Sequence, residues 1–101
     1  MRTAKSLNVS EDALAAGCAK FRVQALAVFG SAARGEFQPE SDIDLLVLFS
    51  EGVPVTLFTL IELQAELADL FARHVDLVPK NGLKATLRRE VLAEAQVLYA
   101  A

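Results

Sequence analysis

The chain has a single cysteine, no long uninterrupted apolar run and no excess of positive charge, and each absence removes a class of protein. Lone Cys18 cannot close an internal disulfide, and its apolar neighbours predict a buried, inert thiol in a reducing compartment. The opening stretch MRTAKSLNVSEDA lacks the apolar core of a secretory signal. Nothing approaches the ~20 apolar residues of a membrane span, so a cytoplasmic location is expected. Ten Lys and Arg against thirteen Asp and Glu give a net charge of −3. That balance does not supply the clustered positive charge of a broad nucleic-acid footprint. An acidic protein can still bind polyphosphate through a metal, because the cation brings the positive charge. Repeats, low-complexity tracts and linkers are also missing. What remains is 101 residues, 53% of them hydrophobic and rich in alanine and leucine. A single domain over residues 1–101 is expected, with helices packed on a small sheet.

The elements follow closely on one another. Ser10 suits an N-cap, Glu11 and Asp12 a first turn, and residues 11–20 a helix. Residues 25–29 read as a short buried strand ending at Gly30. Residues 31–34 fit one helical turn stopped by Gly35, and residues 36–41 a polar loop containing Pro39. Residues 42–49 read as a second strand, apolar on both faces from Leu45 onward and hence central. Leu57, Leu60, Leu63, Leu67, Leu70 and Phe71 recur at helical spacing, with Thr59 and Glu62 at capping-box spacing. Residues 75–78 form a third strand ended by Pro79. A helix at about 84–95 and a closing strand at 96–99 complete an α/β (α+β) chain, a small sheet flanked by helices. Lys80, Lys84, Arg88 and Arg89 gather near the last helix and read as a solvated face, with a partner or nucleotide contact as the alternative, and Tyr99 reads as a sheet-edge or packing residue.

The chemistry concentrates in AVFGSAARGEFQPESDIDLLVLF. Asp42 and Asp44, at i and i+2 on a strand, point the same way and can share a divalent cation. Asp76 is the only acid in an otherwise apolar strand. A buried unpaired carboxylate is costly, and three carboxylates offered by two strands repel one another unless a cation is present. Mg²⁺ suits one or two carboxylates plus phosphate oxygens; a calcium loop does not fit, because position 46 is Leu. Gly30-Ser31 leaves a buried strand and opens a helical turn, as an anion site requires. It is neither a Walker loop, whose lysine is missing, nor a GxGxxG dinucleotide fingerprint. Phosphate on one side and metal on the other describe a nucleoside triphosphate site. Arg34 has two readings, a phosphate contact or a surface pair with Glu36. His74, two residues before Asp76, is read as a partly exposed strand-end residue with a site-side role as the alternative.

GSAARGEFQPESDIDLLVLF, with VDLV at 75–78, resembles the minimal nucleotidyltransferases of the DNA polymerase β superfamily. It is most similar to the small prokaryotic MNT antitoxins paired with HEPN-domain toxins. The resemblance runs from about Leu26 to the terminal EAQVLY. It implies a mixed sheet flanked by helices, Mg²⁺-bound ATP with two ions, and transfer of a nucleoside monophosphate to a hydroxyl. Gly30 and Ser31 match the family's phosphate-holding turn, Asp42 and Asp44 its metal ligands, and Asp76 the third acid. That third acid helps bind the catalytic metal and accepts the attacking hydroxyl's proton. Ala32 departs from the larger or basic residue of many relatives, which bears on the nucleotide grip. In MNT antitoxins the acceptor is a tyrosine of the HEPN toxin, whose ribonuclease activity is silenced by adenylylation.

The expectation is therefore a protein adenylyltransferase acting as an antitoxin, found as an oligomer or heteromeric complex with a HEPN-type toxin. A non-catalytic module that neutralises its partner by contact is the first alternative, disfavoured by the repulsive acid cluster. A nucleotidyltransferase for a small molecule is the second, disfavoured by the lack of room for a substrate-gripping domain in 101 residues.

Overall fold

Helix α1 (Glu11–Lys20) begins where the Ser10 side chain accepts a hydrogen bond from the Ala13 N–H at 3.3 Å. The computed structural model describes residues 9–30, 42–80 and 85–101, the side chains of 85–88 excepted. Arg22, in the left-handed region at φ +57, turns the chain from α1 into strand β1 (Val23–Phe29). This strand starts two residues before the apolar run at 25–29. A register shift between Val23 and Ala25 lets it continue through polar Gln24.

Strand β2 (Ile43–Phe49) pairs antiparallel with β1 and parallel with β3 (Val75–Pro79). Helix α2 (Leu57–Phe71) makes the crossover that a parallel pair needs. Helix α3 (Ala85–Glu94) leads into β4 (Gln96–Ala100), which pairs antiparallel with β1. The mixed sheet has the order β3-β2-β1-β4, so β2 is central, as its apolar run requires. The expected fold class holds.

One face of this sheet makes the core. Leu26 and Val28 of β1, Ile43, Leu45 and Val47 of β2 and Val75 of β3 pack with Leu14 and Cys18 of α1 and Leu63, Leu67 and Phe71 of α2. Alternation sends the neighbouring side chains to the opposite face. There Ala25, Ala27, Leu46 and Leu48 line an open groove of about 190 Å³ with Leu92, Ala95, Val97 and Lys80. Tyr99 packs against the core, as expected.

Two details of α2 refine the sequence reading. Its N-cap is Thr56, so of the two starts that the sequence leaves open, at Leu57 and at Thr59, the earlier holds. Thr56 accepts from the Thr59 N–H at 3.3 Å, and the Thr59 hydroxyl accepts from the Thr56 N–H at 3.2 Å. Threonine at the third helical position thus does the work usually given to Glu or Gln. Leu57 belongs to the periodic stripe but is 70% exposed, beside Phe58 at 75% and Ile61 at 56%. The core-facing stripe therefore starts one turn later. The helix ends at Phe71 because Ala72 turns left-handed, at φ 55. No helix among the described residues is long and apolar enough to cross a membrane.

Cys18 is fully buried, and burial pushes its thiol from 9.0 to about 11. The unfolded thiol ionises first as pH rises. The stability this contributes is thus complete below about pH 9 and is lost between pH 9 and pH 11. Native protein is expected to resist a thiol-reactive disulfide at pH 8 and to react stoichiometrically once unfolded in guanidinium.

Candidate functional site

The topology gathers the candidate residues at one end of the sheet. β2 and β3 run parallel and start together, with Asp44 in register with Asp76. β1 runs the other way and ends there, with Phe29 opposite Asp44. Gly30 follows at once, and Asp42 precedes the first residue of β2. The backbone bond from Ile43 N–H to His74 O, 3.0 Å, locks the two strand starts side by side. Ile43, Leu45 and Val75 are fully buried on the core face. Their neighbours Asp42, Asp44 and Asp76 accordingly share the other face.

Asp42 and Asp76 are about half exposed, with side-chain exposures of 54% and 50%. The His74 imidazole lies with them: its Nδ1 is 3.4 Å from Asp42 Oδ1 and 3.8 Å from Asp76 Oδ1. Ligand atoms of these three residues all fall within 4.8 Å of one another. The Asp44 carboxylate sits under Gly30. A Cβ built on Gly30 would stand 2.5 Å from Asp44 Oδ2. Gly30 has φ +74, which glycine adopts without strain. Glycine is therefore required twice at this position, by conformation and by the close approach of Asp44.

The Gly30 N–H donates to Glu94 Oε1 at 3.0 Å. Glu94 ends α3, where the helix dipole disfavours an acid. An anion is thus already drawn to this N–H, as a phosphate turn would draw one. Sequence reasoning missed Glu94; the available signal was an acid in the last turn of a helix, which needs a donor nearby. His74 was placed correctly as an exposed residue ahead of the strand, but its contact with both aspartates emerges only from the folded pairing. Ser31 and Arg34 lie outside the described residues.

The arrangement has a defined chemical capacity. Asp42 and Asp76 present oxygens within 4.8 Å of each other, with Asp44 on the same face but outside that cluster of donor atoms. The hard, multivalent charge of a divalent cation would relieve their repulsion. The donors thus fit a divalent cation, and the glycine turn beside them fits an anion.

Gly30→Ala is expected to lower stability by about 1–3 kcal/mol, because a strained φ is joined by a clash with a carboxylate. Gly52, at φ +81, has nothing within 4 Å of an added Cβ. Gly52→Ala should therefore cost only about 1 kcal/mol, from backbone strain alone. Urea unfolding of the two variants measures the difference.

The family model of the nucleotidyltransferase domain matches residues 12–98. The protein adenylyltransferase MntA of Thermococcus cleftensis is 44% identical over 75 residues, 74% of each chain. A provisionally named protein adenylyltransferase of Methanocaldococcus jannaschii is 45% identical over 64 residues, 63% of each chain. The chain thus aligns with slightly under two thirds of that relative's length. A solved structure provisionally named a minimal nucleotidyltransferase superposes with a TM-score of 0.77 at 40% identity, covering 95% of both chains. A complex of tri-AMPylated Shewanella oneidensis HEPN toxin with MNT antitoxin contains a chain of the same fold, TM-score 0.65 at 22% identity. It covers 90% of this chain and 70% of that one.

Proposed function

Because this chain belongs to the nucleotidyltransferase domain family, we propose that it transfers AMP from ATP to a hydroxyl, a tyrosine, of a HEPN-type toxin and so acts as its antitoxin. The observation that carries this reading is the cluster of Asp42 and Asp76 at one end of the sheet, with Asp44 in register with Asp76 and set against the Gly30 turn. The MntA relative and the AMPylated toxin complex support the choice of AMP and of a protein acceptor.

Asp42, Asp44 and Asp76 would hold Mg²⁺. When bound, the cation neutralises phosphate charge and polarises the α-phosphorus. The chain's own residues do the rest. Gly30 holds the triphosphate at the turn, with Ser31 and Arg34 assigned to it from the sequence alone, and Glu94 yields the Gly30 N–H. Asp76 takes the proton of the attacking hydroxyl. A bond forms from the acceptor oxygen to the α-phosphorus, the bond to the bridging oxygen breaks, and pyrophosphate leaves. No group of the protein becomes covalently attached, so catalysis is positioning and charge neutralisation.

Asp76 lies on β3, which is at the edge of the sheet among the described residues, and its side chain is half exposed to an acceptor. The exposed Leu57, Phe58 and Ile61 offer apolar surface of the kind that partner contacts bury, in keeping with isolation as an oligomer or a complex. Incubation with ATP, Mg²⁺ and the protein encoded beside this one tests the reading by intact mass. Added AMP on the neighbour is the expected result. An unmodified neighbour that is nevertheless silenced, even by an Asp42→Asn/Asp44→Asn/Asp76→Asn variant, would leave a contact-only module as the answer.

A further inference from the structure

We infer that His74 supplies a nitrogen ligand to the cation at this site, so that the site takes Mn²⁺ more tightly than Mg²⁺. The inference rests on the preceding reading only in requiring a divalent cation on this face. Three observations lead to it. The backbone bond between Ile43 and His74 fixes where β3 begins and sets the imidazole beside Asp42. The same atom, Nδ1, makes both close approaches, 3.4 Å to Asp42 Oδ1 and 3.8 Å to Asp76 Oδ1. The donor atoms of all three residues lie within 4.8 Å of one another.

Ligands around an ion with bonds of about 2.0–2.2 Å stand roughly 3–3.5 Å apart. Two edges of the triangle, 3.4 and 3.8 Å, are close to that, and the third is at most 4.8 Å. Its three side chains are half exposed or more, so small rotations close it at little cost.

A protonated His74 acting as a plain counter-ion is the competing explanation. It falls short in charge: one imidazolium between Asp42 and Asp76 leaves these three groups at −1. A divalent cation remains favoured there, and an ion held by Asp42 Oδ1 and Asp76 Oδ1 lies within reach of Nδ1. Mg²⁺ dehydrates reluctantly and prefers oxygen, whereas imidazole nitrogen suits first-row transition ions and Mn²⁺ accepts both kinds of donor. His74 thus acts on the choice of metal, through a donor that an all-aspartate site lacks.

His74 is the only histidine of the chain, so a tag-free preparation identifies the ligand without mutation. Electron spin echo envelope modulation of the Mn²⁺-loaded protein is expected to show one directly bound imidazole ¹⁴N. That modulation should disappear in His74→Gln, and Mn²⁺ affinity should fall roughly 10–100-fold, while Mg²⁺ affinity changes far less. Circular dichroism checks that the variant is folded. Mn²⁺ bound to the wild type with no ¹⁴N modulation would overturn the inference and make His74 a counter-ion. Modulation present without AMP transfer upholds it and counts instead against the adenylyltransferase reading. Failure of Mn²⁺ to bind at all overturns it.

Discussion

Asp42→Asn/Asp44→Asn is expected to abolish AMP transfer, with a loss of roughly 10³-fold or more, because the charges that hold the cation at the phosphates are gone. The fold should survive intact. Asp42 is half exposed and lies ahead of β2, so its carboxylate is not part of the packed core. Asp44 faces away from the core, in register with Asp76 on the next strand. Like charges on neighbouring strands repel, so the substitutions relieve that repulsion in the metal-free protein. Mg²⁺-dependent ATP binding should vanish along with transfer. Asp76→Asn separates the roles: transfer is expected to be lost while much of the ATP affinity remains, since its proposed partner is the attacking hydroxyl. Calorimetric titration of ATP, with and without Mg²⁺, measures the binding of each variant. Equal loss of ATP binding in both would show that the three acids act as a single metal cage.

Leu67→Ala is expected to cost about 2–5 kcal/mol, a large part of what holds a chain of this size together. Leu67 is fully buried, at 0% exposure, between Leu63 and Phe71 on the stripe of α2 that faces the sheet. The helix can close little of the cavity, because the same stripe packs on β3 and against Leu14 and Cys18 of α1. For a loss of about 3 kcal/mol the melting temperature should fall by roughly 12–24 °C. Leu57→Ala, in the same periodic row but 70% exposed, should change stability by less than about 0.5 kcal/mol. A stability loss at Leu57 comparable to that at Leu67 would mean that the first turn of α2 is buried in solution.

This contrast shows where sequence reasoning reached and where it stopped. Helical spacing places Leu57 and Leu67 on one face, but spacing alone does not say where that face meets the sheet. The two-residue alternation around Ile43 and Leu45 was enough to set Asp42 and Asp44 on one side, because the period of a strand is independent of its partners. The central place of β2 followed from its apolar run. The contacts that crossed the chain were less legible. Glu94 meets the Gly30 N–H from 64 residues away, and no local pattern joins them. His74 stood at the right spacing from Asp76, but its approach to Asp42 depends on the parallel register of β2 and β3. The start of α2 stayed open between Leu57 and Thr59 because two threonines three residues apart share the cap, where the usual pattern has a threonine and an acid.

The central claim is that this site transfers the α-phosphorus of ATP as AMP. The most direct measurement follows a label from ATP, with Mg²⁺, to the protein encoded beside this one. Label in the α-phosphate is expected to enter that partner, with pyrophosphate released in equal amount, and label in the γ-phosphate is expected to stay out of it. Entry of γ-label with formation of ADP, or transfer undiminished in Asp42→Asn/Asp44→Asn, would contradict the account.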